Sequence, residues 1–207
     1  TDCCALIIGE TGTGRQALAR HIHEKSGRSG DFIVVSCSGQ SDEALTIALF
    51  GQNEQAGAVD AAASGTLFLD EIAATPNTVQ LRLMRLLQDG EYSRTGSSET
   101  LKGKSRVIAA TDQDLAALAE EGQFRKDLYF RLAVVTFSLP PLRKRRGDIP
   151  LLAMHFLGRA AQRTGKSVSQ IAPEAFDRLL AYGFPGNLRE LENIIERAII
   201  LEKGGRI

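Results

Sequence analysis

ALIIGETGTGRQ, residues 5–16, joins a short apolar run to a loop punctuated by glycines. The Gly9-x4-Gly14 spacing is that of a phosphate-binding loop, and it follows a strand-like run and precedes a helical one, the context that gives such a loop meaning. Glycines let the backbone aim its N–H groups at one point, and the positive end of the next helix reinforces the field there. An anion is then held without any side chain. The two residues that usually act on the phosphates, a Lys followed by a Ser or Thr, are here Arg15 and Gln16. Arg15 stands where an ammonium would reach the β- and γ-phosphates. It keeps the charge, but its larger planar fork pairs two oxygens, so the exchange is not conservative in a tight site. The bland alternative is a glycine turn that binds nothing. On the ligand-binding reading, Gly9, Glu10, Thr11, Gly12, Thr13, Gly14, Arg15 and Gln16 are the candidate nucleotide-contacting residues.

Outward from this loop, apolar runs rich in β-branched residues alternate with segments of helical period. The expected strands are 5–8, 32–36, 66–70, 106–111 and 134–139, and the expected helices between them are 15–25, 43–50, 78–88 and 115–121. Val79, Leu83, Leu86 and Leu87 fall at i, i+4, i+7 and i+8, one apolar face of a 3.6-residue period. Strands that are apolar throughout and alternate with helices indicate a parallel sheet covered on both faces. Pro140-Pro141 ends that pattern. Beyond it only helices are expected: 149–164 capped by Asp148, one starting at Pro173 with Phe176, Leu179 and Leu180 inward, and 187–201 with a stripe of Leu188, Leu191, Ile194, Ile195, Ala198 and Ile199. The expected division is an α/β domain over 1–140 and an all-helical lid over 141–207.

With 207 residues, 43% of them hydrophobic, the chain can bury a substantial core. Its 25 basic and 25 acidic side chains balance, so no net field draws polyanions to the domain, and DNA contact is expected only through a part absent from this chain. Three cysteines without CxxC spacing fit a reducing, cytoplasmic setting. No apolar run approaches the roughly 20 residues of a membrane span. The first strand begins almost at once and Gly204-Gly205 follows the last helix, so the chain reads as a domain excised from a longer protein.

The second diagnostic run is Gly65-Thr-Leu-Phe-Leu-Asp70-Glu71. An apolar strand there delivers two carboxylates at its carboxyl end, where ligands of α/β sheets collect. Asp70 would hold Mg2+, usually through water, and Glu71 would orient or deprotonate an attacking water. A helix N-cap is the plainer role for Asp70. His21 and His23 are two apart on a helix and point different ways, which argues against a shared metal, and His155 has no nearby ligand set.

Taken together, GETGTGRQALARHIH, ALFG, GTLFLDEI, RVIAATDQDL, GQFRKDLYFRL, LPPLRKRRGDIPLLA and FPGNLRELENIIERA resemble the central AAA+ domain of bacterial enhancer-binding proteins, the regulators that act on sigma-54 polymerase. The resemblance covers nearly the whole chain in the family's order. It implies a P-loop three-layer αβα sandwich with a five-stranded parallel sheet and a small helical lid. It implies ATP with Mg2+ as cofactors, self-association between a dimer and a ring of six, and action on RNA polymerase through other regions. By position, Asp70 and Glu71 match the Mg2+-binding and water-activating acids, and Arg125 and Arg131 match the pair that reaches a neighbouring subunit's nucleotide. Arg189 matches the lid sensor. A guanidinium supplied in trans stabilises charge on the transferring phosphoryl group. A helix-turn-helix beyond Ile207 and a sensory domain before Thr1 are further implied.

Four departures from the family's pattern stand out. Lys is Arg15; Gln16 is less telling, because the family generally has Glu there. The Asn on the second strand that holds the water-activating Glu is Ser36, whose hydroxyl is too short for that reach. The sensor-strand Asn is Asp112, a negative charge facing the γ-phosphate, which should weaken ATP binding unless protonated or compensated. Finally, residues 52–64, QNEQAGAVDAAAS, contain nothing like the GAFTGA loop that grips the sigma factor. The leading expectation is therefore a degenerate AAA+ domain with weak or absent hydrolysis and no usual sigma-54 contact. Two others remain open: an active ring-forming ATPase, and a sensor for a cyclic dinucleotide in which Arg15, Arg20 and the run 143–146 pair phosphates.

Overall fold

The computed structural model describes residues 2–202 and 205–207; Gly204 of the glycine pair noted above lies outside them. In chain order the elements are β1 (Ala5–Ile8), α1 (Arg15–Glu24), β2 (Phe32–Ser36), α2 (Asp42–Phe50), α3 (Ala58–Ala62), β3 (Thr66–Asp70), α4 (Asn77–Asp89), β4 (Glu91–Tyr92), β5 (Leu101–Lys102), β6 (Arg106–Thr111), α5 (Leu115–Glu120), α6 (Lys126–Leu132), β7 (Val135–Ser138), α7 (Ile149–Thr164), α8 (Pro173–Ala181) and α9 (Asn187–Leu201). Two compact units result: Thr1–Gly9 with Arg15–Ser138, and Glu10–Gly14 with Leu139–Ile207.

The first unit is built on a five-stranded sheet in the order β2-β3-β6-β1-β7, every neighbouring pair parallel. Alternate residues of β3 serve opposite faces, as the two-residue strand period demands. Leu67 and Leu69 join Leu6, Val35, Val107 and Ala109 in a core shared with Leu45 of α2, Val59 of α3, Leu83 of α4 and Leu128 of α6. On the other face Phe68 stacks on Phe32 at 5.8 Å, and Phe32 in turn meets His23 of α1. Both faces are therefore covered, which is why β3 and β6 carry unbroken apolar sequence. Only β7, at the border of the sheet, is exposed along its whole length.

Local signals set the helix ends. Ser41 Oγ accepts from Ala44 N at the start of α2, and Asp114 Oδ1 accepts from Ala116 N and Ala117 N at the start of α5. Gly90, in the left-handed region at φ 66°, closes α4 with its N–H on Leu86 O. In α4, Val79, Leu83 and Leu86 are buried as their period requires; cutting Leu83 to Ala would cost about 2–5 kcal/mol. Three elements were not anticipated: α3, α6 and the β4–β5 hairpin. Strand β7 is shorter than its expected range by one residue at each end.

The second unit packs α7, α8 and α9 around Leu142, Ile149, Ala153, Phe156, Leu157, Phe184, Leu191, Ile195 and Ile199. Pro150 and Pro173 sit in the first turns of α7 and α8, where the missing N–H costs nothing. Two expectations need correction. Asp148 precedes α7 in helical geometry (φ −82°, ψ −19°) and its side chain makes no cap bond, because a cap requires an extended backbone. Ile194 is exposed; the buried stripe of α9 is Leu191, Ile195 and Ile199.

Candidate functional site

Because the strands are parallel and in register, their carboxyl ends meet along one edge. Strand β1 runs into Gly9, whose N–H donates to Thr111 O at the end of β6 (3.0 Å). Asp112 follows Thr111 and is exposed. Strand β3 ends in Asp70, paired in register with Ser36 of β2. The Ser36 hydroxyl lies 3.3 Å from that of Ser38.

After Asp70 the chain turns sharply: Glu71 holds φ 59° and ψ 45°, a left-handed conformation uncommon for a residue with a side chain. Its N–H donates to Asp70 Oδ1 (3.1 Å), so Asp70 bonds the very next residue, while Glu71 occupies the N-cap position of the 3-10 turn Ile72–Ala74. The two carboxylates converge on Arg15. Its side chain is only 6% exposed; Nη2 lies 2.8 Å from Glu71 Oε1 and 3.3 Å from Asp70 Oδ1, and Nη1 donates to Gly9 O at 3.1 Å. The structure thus brings together Arg15, Asp70 and Glu71, three residues chosen from sequence.

Arg125 and Arg131 lie at the two ends of α6 and are exposed. Arg125 forms a two-point pair with Asp127 (3.0 and 2.7 Å), whose hydrogen bonds hold the Asp127 carboxyl below its ordinary range. Its backbone N–H donates to Oε1 of Gln80 (2.9 Å), a buried amide on α4 that also donates from Nε2 to Thr75 O (2.8 Å). Gln80 was not singled out from sequence; the signal was a polar residue one step from Val79 on an otherwise buried face. No ion pair engages Arg131 among the described residues.

The rest of the loop, Glu10–Gly14, belongs with the helical unit. Gly12 (φ 81°) and Gly14 (φ 101°) adopt backbone geometry that favours glycine, and a Cβ at Gly12 would stand 2.3 Å from Gly186 O. The Gly12 carbonyl accepts from Leu188 N (2.9 Å), and the Arg189 Cβ sits beside the same glycine. Arg143 grips Glu10 at both oxygens (2.7 and 2.6 Å), and Asn187 Nδ2 donates to Glu10 Oε2 (3.2 Å) and Thr11 O (3.1 Å). The Arg143 and Asn187 hydrogen bonds pull the Glu10 carboxyl down to about 2. Asn187 is fully buried at φ 52° and its Oδ1 accepts from Leu142 N (2.8 Å). Arg145 donates to Thr13 O (2.9 Å). Gln16 is exposed on α1. Asn187 is the second residue that sequence reasoning missed.

The remaining candidates have other partners. Arg20 lies over the Phe32 ring at 4.7 Å, and His23 Nδ1 is 2.9 Å from Thr66 Oγ1. Between α2 and α3 the chain forms a closed turn, with Gln52 and Gln55 exchanging backbone hydrogen bonds at 3.0 and 2.8 Å. No helix among the described residues is long and apolar enough to cross a membrane.

A parallel sheet carrying a glycine loop after its first strand, an acidic pair after its third, and a following helical unit define an AAA+ domain. Residues 1–138 match the family model described as sigma-54 interaction domain, and residues 143–207 match the AAA+ ATPase lid domain. The chain belongs to the sigma-54 interaction domain family. It is 45% identical to the transcriptional regulatory protein ZraR of Klebsiella oxytoca, over 99% of this chain and 48% of that protein. It is 44% identical to the regulatory protein AtoC of Escherichia coli (strain K12), over 99% of this chain and 46% of that protein. Among solved structures, NtrX from Brucella abortus in complex with ADP superposes with a TM-score of 0.94 at 38% identity, covering 99% of this chain and 47% of that one. A structure of the same protein in complex with ATP gives the same score and identity, covering 99% of this chain and 46% of that one. The chain spans about half the length of these relatives.

Proposed function

We propose that this chain is the nucleotide-binding AAA+ domain of a bacterial DNA-binding transcriptional regulator, that it binds ATP through residues 9–16, and that it hydrolyses ATP weakly or not at all. The observation that carries this reading is the engagement of Arg15 with Glu71 and Asp70. A guanidinium held by Glu71 ties up the carboxylate that would activate water. The left-handed turns at Gly12 and Gly14, with no acidic residue in the first turn of α1, suit a polyphosphate. Mg2+ suits the site less well, since the oxygens of Asp70 and Glu71 that would receive it already face a cation. Asp112 adds a negative charge, and Ser36 replaces a longer amide. ATP and ADP complexes of NtrX support the choice of ligand.

In this reading Asp112 and Arg189 contribute to the nucleotide, and Arg125 and Arg131 serve a neighbouring copy in an assembly between a dimer and a ring of six. DNA is contacted by a domain outside this chain and RNA polymerase by other regions. The closed turn at residues 52–55 supports the absence of the usual sigma-54 grip. Phosphate release at saturating Mg-ATP tests the proposal. Turnover well below one per second is expected, and a rate of about 1 per second or faster, ordinary for an enzyme, would overturn it.

One observation favours a second reading, an active ring-forming ATPase: Arg131 is exposed and has no ion pair among the described residues, as suits a group acting on a neighbour's nucleotide. Arg131→Ala would then abolish turnover and leave ATP binding intact. A cyclic-dinucleotide sensor is the third reading. Arg20 and Arg143, two of its pairing groups, already serve Phe32 and Glu10. Calorimetric silence toward cyclic dinucleotides removes it.

A further inference from the structure

Resting on the nucleotide reading above, we infer that Arg15 takes the place of a divalent cation beside Asp70 and Glu71, so that this chain takes up ATP and ADP in metal-free form.

Asp70 and Glu71 are adjacent in the chain and both reach one atom, Arg15 Nη2, at 3.3 and 2.8 Å. Two carboxylates so close repel each other unless a cation lies between them. Here the cation is part of the fold. Arg15 is the first residue of α1, its third contact is the Gly9 carbonyl, and its side chain is almost wholly buried. A guanidinium cannot shed its charge to make room. A magnesium ion at the same oxygens would add charge against it at short range and would demand near-octahedral oxygen ligands. A guanidinium offers five N–H donors in a fixed fork, and the contacts with Gly9, Asp70 and Glu71 use at most three, so donors remain for a phosphate oxygen. Lysine at this position would behave differently. A compact ammonium cannot hold both carboxylates and the Gly9 carbonyl in one planar array, and the acids would be released to a metal.

The test is titration calorimetry of the whole chain with ATP, once in magnesium chloride and once in EDTA, for the unaltered protein and for Arg15→Lys. The unaltered chain is expected to change its Kd by less than about threefold between the two buffers, whereas R15K loses about tenfold or more in EDTA. A larger loss for the unaltered chain overturns the inference and leaves the nucleotide reading standing. Equal metal independence in R15K overturns the assignment to Arg15. Failure of ATP to bind in either buffer overturns the nucleotide reading, and the inference falls with it.

Discussion

Arg15 and Glu71 are 56 residues apart in sequence and 2.8 Å apart in space, joined by a hydrogen bond between a buried guanidinium and a carboxylate on a left-handed turn. The bond ties the start of α1 to the end of β3, the two elements that bear the residues expected to bind phosphate and activate water.

A double-mutant cycle measures that tie. Arg15→Met and Glu71→Gln are each expected to lower stability, with a coupling of about 1–2 kcal/mol between them, between the values for exposed and buried pairs. Urea unfolding of the four proteins checks it, and additive effects would show that the bond contributes nothing.

The backbone at Glu71 gives a separate prediction. Glu71→Ala and Glu71→Gly both remove the carboxylate, but only glycine occupies φ 59° without a steric cost. The glycine variant should be the more stable of the two by about 1 kcal/mol, despite the entropy that glycine adds to the unfolded chain. Thermal unfolding of the pair decides the matter.

Gln80 is a test of positioning. Replacing it by Leu keeps the volume but leaves the Thr75 carbonyl and the Arg125 N–H without their buried partner. A loss of about 1–3 kcal/mol is expected. Amide exchange at Arg125 should quicken in the variant; unchanged protection there would mean that another group holds this N–H.

Acid titration probes the loop. The folded-state value for Glu10 lies near 2 against an ordinary 4.5, so its bonds to Arg143 and Asn187 stabilise the fold above the ordinary value and are lost as pH falls through the folded one. Carbon NMR of the side-chain carboxyl should show Glu10 still ionised at pH 3, and Arg143→Ala should return its midpoint toward the ordinary range. A midpoint near 4.5 in the unaltered chain would dissolve the clamp.

Much of the architecture is legible in the amino-acid sequence. Strands β1, β3 and β6 are buried on both faces, so their sequences are unbroken apolar runs, and α4 and α9 carry stripes that only a helix can bury on one side. The short elements were hidden. Helix α3 has five residues and the hairpin strands two each, too few for any period to register. Helix α6 is too short for its period to stand out in the sequence, and Leu128 and Leu132, four apart and both buried, are its one sign. In the site, spacing and context picked out Arg15, Asp70 and Glu71 individually. That Arg15 would turn toward the acids could not be read, because no local pattern links residues so distant. Gln80 and Asn187 escaped notice for a related reason: a buried amide looks like any surface amide until its partners are known.

Strand β7 forms one of the two margins of the sheet. The strand is four residues long, with Val135 and Phe137 partly open to solvent, and the chain beyond it reaches Pro140 and Pro141 within three residues. Neither proline can donate to a further ladder, so a stray strand joining here would find little backbone to zip along. Brevity and two imino acids thus guard this margin against edge-to-edge growth, where its side chains offer no such protection.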